Sequence, residues 1–200
     1  MPEPIEGVCT LVLAAGHGRR YREHADEDKL LATSNAAPDA PPVLAATLGA
    51  LRGVAERLVV VTRDDNALLL TWLARHAGGY GAEVFAVRTR GLGHSLAQAV
   101  RRYPAARGWL VALGDMPYVQ AETCRQVARE LGPSSLVVPT WRGQAGHPRG
   151  IGCAHAAQLW ALDGERGAQA LFAGEGVQAV EVDDPGVLQD IDRPGDRRDR

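Results

Sequence analysis

Short runs of uninterrupted apolar residues recur along this chain, each followed by a longer segment with a different period. Val8–Ala14, Arg57–Thr62, Ala82–Val87, Trp109–Leu113, Ser135–Pro139 and Val177–Val182 read as strands, and several are apolar throughout, as strands covered on both faces are. Between them, residues 43–52, 66–76, 94–103, 121–131 and 154–162 place apolar side chains at three- and four-residue spacing. That spacing marks one face of a helix. Gly53, Gly78, Gly79 and Gly132 fall just past helical segments, where a left-handed cap favours glycine. The alternation predicts an α/β fold, a mostly parallel sheet with right-handed crossovers and helices on both faces.

Two stretches break this rhythm. Ala32–Pro42 carries Pro38, Pro41 and Pro42 and reads as an exposed loop, while Trp141–Gly152 is glycine-rich, contains Pro148 and reads as a second irregular segment. With 200 residues and no evident linker or repeat, one domain over residues 1–200 is expected.

The formal net charge of -2 and the pI near 6.3 leave no broad basic field, which argues against nucleic acid as a partner. Cys9, Cys124 and Cys153 are widely spaced without a CxxC pair, so neither a disulfide framework nor a zinc site is expected. The acidic start MPEPIEG lacks the features of a secretory signal, and no apolar run is long enough to span a bilayer. A cytoplasmic protein without a membrane partner is the expectation.

Ligands of open parallel sheets bind at the carboxyl ends of the strands. Three charged stretches follow predicted strands there. The first is LVLAAGHGRRYREHADEDK, Leu11–Lys29. Gly16 and Gly18 allow backbone N–H groups to turn toward phosphate oxygens, and Arg19, Arg20 and Lys29 add cationic donors. This stretch lacks the GK[ST] ending of a P-loop and the third glycine of a dinucleotide fingerprint. The second is LVALGDMPYV, in which Asp115 comes directly after an apolar strand. It is suited either to hold Mg²⁺ beside a polyphosphate or to cap the next helix. The third is DDPGVLQDIDRPGD, where an extended backbone points Asp190 and Asp192 one way and Ile191 the other. It reads as the other half of a metal shell or as a solvated acidic tail.

Taken in this order, the motifs resemble the MobA-like NTP transferase family, and most of all its molybdenum cofactor cytidylyltransferases. LAAGHGRR with Lys29 is similar to the family's LAAGxGxR…K signature. GLGHSL (Gly91–Leu96) resembles its nucleoside-contacting loop, GDMP (Gly114–Pro117) its metal motif, GHP (Gly146–Pro148) an element near the acceptor, and DIDRPGD its terminal DIDTPxD. The resemblance implies a Rossmann-like αβα sandwich of the nucleotide-diphospho-sugar transferase type. It also implies Mg²⁺-dependent transfer of CMP from CTP to the phosphate of the molybdenum pterin cofactor, with release of pyrophosphate.

On that basis Arg20, Lys29 and Asp115 are the expected catalytic residues. Leu13, Ala14, Ala15, Gly16, Gly18, Arg19, Gly93 and Ser95 would bind nucleotide, Asp115 with Asp192 or Asp190 the magnesium, and His147 and Trp141 the acceptor. Ala15, where guanylyl enzymes of the family tend to carry glycine, points to a pyrimidine. The chain departs from the pattern in a longer stretch between Arg20 and Lys29, in His94 before the serine, and in Arg193 for threonine. The longer stretch leaves open whether Lys29 reaches the site. The alternatives are guanylyl transfer, a sugar- or polyol-phosphate acceptor, or a noncatalytic nucleotide- or cofactor-binding protein. A molybdoenzyme or its chaperone would be a further partner.

Overall fold

The structure, a computed structural model, describes residues 3–37 and 39–198. One eight-stranded sheet contains β1 (Ile5–Ala14), β2 (Ala55–Arg63), β3 (Ala82–Val87), β4 (Gly108–Leu113), β5 (Leu136–Trp141), β6 (Gln144–Ala145), β7 (Arg149–Gly152) and β8 (Val177–Glu181). Its order is β3-β2-β1-β4-β7-β5, with β6 and β8 also paired to β5. The pairs β1–β2, β1–β4, β2–β3 and β5–β8 are parallel, whereas β7 runs antiparallel to both β4 and β5. The helices are α1 (Arg19–Arg22), α2 (Val43–Leu51), α3 (Ala67–His76), α4 (Leu92–Arg102), α5 (Ala121–Glu130) and α6 (Ala156–Trp160).

Helices cover the sheet on both sides because β1 is apolar on both sides. Val8, Val12 and Ala14 pack into one layer with Leu44 and Leu48 of α2, Leu69 and Leu73 of α3, and Val127 of α5. The intervening Cys9, Leu11 and Leu13 pack into the other with Leu96 and Val100 of α4 and Leu159 of α6. This is the two-residue period of a strand read out as two cores. Each fully buried leucine stabilises the fold by roughly 1.5–3 kcal/mol. The result is the mixed α/β, Rossmann-like sandwich expected above.

The back half departs from expectation. Trp141–Gly152 is not irregular, because it contains β6 and β7. Gly152 belongs there for lack of space, since a Cβ would stand 2.2 Å from the carbonyl oxygen of Pro133. Glycines that look like breakers are instead what lets β7 lie in the sheet. Gly53 takes the left-handed conformation after α2, with φ +64°, but after α3 it is Gly81, at φ +69°, and not Gly78 or Gly79. A short 3-10 turn over Ala77–Tyr80 intervenes. Gly132 caps without a positive φ, its N–H donating to Ser135 Oγ at 3.0 Å. The loop over 32–42 is irregular as expected but not exposed throughout, because Ala32 and Ser34 are buried, and its Pro38 lies outside the described residues. The three cysteines are free. No helix among the described residues is long and apolar enough to cross a membrane.

Candidate active site

β1 and its two parallel neighbours end together, with Leu13 level with Val61 of β2 and Leu113 of β4. The segments after them therefore meet at one edge of the sheet. β1 passes into Ala15, Gly16, His17 and Gly18, and Gly18 starts α1 with φ +59°. The backbone N–H groups of Gly16, His17 and Gly18 have no partner among the described residues. From beneath, Arg63 at the end of β2 pairs with Asp65 (Nε to Oδ1, 2.7 Å) and reaches the Gly16 carbonyl oxygen and His17 Nδ1. A guanidinium has only donors, so His17 accepts at Nδ1 and carries its proton on Nε2. Burial and then the Arg63 charge hold the His17 pKa below its ordinary value. The loop is propped from below and open above.

The longer stretch after Arg20 is pinned at both ends. Tyr21 is fully buried and its hydroxyl donates to Glu27 at 3.1 Å. Asp28 accepts from the Leu30 N–H at 2.9 Å and from Asn66 Nδ2 at 2.8 Å. Asn66 in turn caps α3 through the Leu69 N–H. Between these anchors Lys29 is held inward, its Nζ 2.6 Å from Asp115 Oδ2 and 3.5 Å from Asp192 Oδ1. Lys29 therefore reaches the acids in spite of the altered spacing. Burial opposes its charge, but the Asp115 and Asp192 carboxylates outweigh that and raise its pKa.

The acids come from two segments stitched together. Asp115 stands in the turn after β4, and its carbonyl oxygen accepts the Ile191 N–H at 2.9 Å. Ile191 is fully buried, which turns Asp190 and Asp192 back toward Asp115. Asp196 holds this turn by accepting from the Asp192 and Arg193 N–H groups. One oxygen from each of Asp115, Asp190 and Asp192 lies within 4.8 Å of the others. Burial, then the neighbouring Asp115 and Asp192 charges, push the Asp190 carboxyl above its ordinary pKa. Asp115 Oδ1 is buried without a partner, so this cluster has more acceptors than Lys29 satisfies. An unsatisfied buried carboxylate oxygen among three acids fits a divalent cation. Arg20, mostly exposed, pairs with Asp192 from the other side.

Two adjoining cavities of about 280 and 200 Å³ fill the edge. Leu13, Ala14, Ala15, Gly16, Gly18, Arg19, Arg20, Lys29, Asp115 and Asp192 line one or both. Gly93 and Ser95 do not. Ser95 is fully buried, and its hydroxyl is engaged with Thr89 Oγ1 (2.8 Å) and the Gly91 carbonyl (3.0 Å). The Gly93 N–H donates to Gly164 O at 2.9 Å, and a Cβ on Gly93 would stand 2.1 Å from Arg166 O. The segment 163–167 thus covers the start of α4, anchored by Arg90 to Asp163 at 3.0 Å. The rim at this side is formed by Thr89, Gly91, Leu92 and Glu165 instead.

His147 lines a neighbouring cavity of about 100 Å³. Burial and the Arg149 charge lower its pKa to about 4. Trp141, at the end of β5, stands apart with the Arg142 guanidinium over its ring at 4.5 Å. Sequence reasoning missed Arg63, Asp28 and Asn66, whose partners are distant in the chain. It also missed Asp184, which is buried and accepts from the Gln120 and Gly186 N–H groups and the Thr123 hydroxyl.

The fold has counterparts among solved structures. Rv0371c from Mycobacterium tuberculosis is similar over 96% of this chain and 95% of its own, with 25% identity and a TM-score of 0.76. A structure of Rv0371c in complex with manganese covers 94% and 95%, with 25% identity and a TM-score of 0.72. A nucleotidyl transferase from Methanothermobacter thermautotroptrophicus covers 94% and 93%, at 25% identity and a TM-score of 0.76. The 4-diphosphocytidyl-2C-methyl-D-erythritolsynthase of Anaerococcus prevotii, at 14% identity, shares the fold alone, with a TM-score of 0.68 over 96% and 92%. No curated protein matches the sequence. The family model of the MobA-like NTP transferase domain matches residues 10–182. That span takes in the glycine loop, Lys29 and Asp115, and the chain belongs to the MobA-like NTP transferase family as a nucleotidyltransferase.

Proposed function

We propose that this chain, as one domain over its full length, transfers CMP from CTP to the phosphate of an acceptor and releases pyrophosphate. The acceptor its motifs point to is the molybdenum pterin cofactor. The observation that carries this reading is a loop of backbone donors without partners among the described residues, Gly16–Gly18, bordering the same cleft as Asp115, Asp192 and Lys29. Donors for phosphate and acceptors for a cation at one strand edge are what a metal-nucleotide complex requires.

An acceptor phosphate is already ionised near neutral pH, so its attack on the α-phosphorus needs no general base. Positioning and charge neutralisation then supply the rate. Gly16, His17 and Gly18 would present their N–H groups to the triphosphate. Arg20 and Lys29, which pair with Asp192 and Asp115, would also direct their charges at the phosphates. The carboxylates of Asp115 and Asp192, with Asp190 beside them, would hold Mg²⁺. When bound, the magnesium neutralises charge that develops on the phosphate oxygens. Leu13, Ala14 and Ala15 would border the nucleoside. The Ala15 methyl would take space that a larger purine needs, which favours a pyrimidine, and cytosine is the one that the family resemblance implies. Thr89 and Gly91 take over, on the rim, the part first expected of Gly93 and Ser95. A molybdoenzyme or its chaperone would receive the product.

Purified molybdenum cofactor offered with CTP, GTP, ATP or UTP and Mg²⁺ tests this directly. Pyrophosphate and a product heavier by CMP are expected with CTP. Product with another acceptor or base alone would replace the substrate assignment, and nucleotide binding without any transfer would favour a carrier.

A further inference from the structure

The cavity beside the cleft contains a cation, Arg149, that no acid among the described residues pairs with. Arg149 stands on β7, level with Val111 of β4, and shares this space with Leu13, Leu92 and Leu113, which also border the cleft. No aspartate or glutamate lines the cavity, and Arg149 forms no ion pair among the described residues. Its Nε donates to the Gly146 carbonyl at 3.3 Å, and its guanidinium carbon lies 4.8 Å from the centre of the Phe172 ring. Neither Nη has an acceptor among the described residues, and neither is fully buried. Burial alone lowers the Arg149 pKa, yet a guanidinium stays charged. A half-buried charge without a counter-ion is costly, whereas stacking on an aromatic face leaves its planar fork free to bind an oxyanion in two places.

The geometry points to Arg149 as the anchor for a second oxyanion of the acceptor substrate, a phosphate or a carboxylate separate from the phosphate that attacks in the cleft, with an apolar stem along Leu13, Leu92 and Leu113 joining the two. At about 100 Å³ the space is large enough for a small group of this kind and its point of attachment. A neutral sugar or polyol would leave the charge unpaired and is disfavoured. This inference rests on the nucleotidyl-transfer reading, because it takes the cleft as the place of reaction.

The test uses the full chain, wild type, R149Q and R149K. Calorimetric titration with CTP and Mn²⁺ comes first, and equal affinities in all three are expected; absence of binding in wild type would defeat the transfer reading, not the anchor. Phenyl phosphate, benzoate and benzyl alcohol are then titrated in parallel. Wild type should bind at least one of the two anions about tenfold more tightly than R149Q, with R149K between them and benzyl alcohol insensitive to all three. Any contribution from the Gly16 loop is common to the proteins and cancels. The favoured anion identifies the group as phosphate or carboxylate. If R149Q melts early, the wild-type to R149K difference is read instead, because the lysine keeps the charge and loses the fork. Equal anion affinities, no anion binding to wild type, or the same dependence for benzyl alcohol would overturn the proposal.

Discussion

Two glycine loops border the same cleft and carry their glycines for opposite reasons. Beside Gly16 a side chain would meet nothing within 4 Å, and the surrounding N–H groups have no partner among the described residues. Beside Gly93 it would meet the Arg166 carbonyl oxygen at 2.1 Å, and beside Gly91, at φ +146°, the backbone of Gly164 at 2.5 Å. The first loop leaves its space open, while the second has used it to seat the segment 163–167. A glycine pattern marks a close approach of something to the backbone. It does not identify the visitor.

The largest expected effect lies at the acid facing the first loop. Asp115→Asn keeps the shape but removes a carboxylate, and pyrophosphate release should fall about a hundredfold or more. Turnover close to wild type would remove Asp115 from the chemistry. At the second loop, Gly93→Ala forces a methyl against fixed backbone, and denaturant titration should show a loss of about 2–3 kcal/mol; an unchanged midpoint would mean that 163–167 does not rest there. Gly16→Ala should do the reverse. Calorimetry should record CTP affinity about tenfold weaker, or 1.4 kcal/mol, while stability stays within about 0.5 kcal/mol. The smallest effect is at Gly18→Ala, where a left-handed residue should cost about 1 kcal/mol of stability.

The same contrast separates what was legible in the sequence from what was not. β1, β2 and β4 announce themselves because burial on both faces demands continuous apolar residues, and Asp115 follows from being the first charge after such a run. β7 leaves no such trace. Its residues are Arg149, Gly150, Ile151 and Gly152, and the reason for the glycines is the approach of Pro133 and Val137 from elsewhere. Lys29 is similar, since what holds its loop is Asn66, across a gap no local pattern spans. Asp184 is neither site nor tail but a buried clamp between the start of α5 and the turn before Asp190. Contacts that join distant segments through single polar atoms have no period, and period is the signal a lone sequence offers.

Crystals grown with CTP and Mn²⁺, measured at a wavelength where manganese scatters anomalously, test the central claim most directly. An anomalous peak coordinated by Asp115 together with Asp192 or Asp190, with the triphosphate on the N–H groups of Gly16–Gly18, is the predicted result. Nucleotide bound with the Gly16 loop vacant, or manganese remote from Asp115, would contradict it.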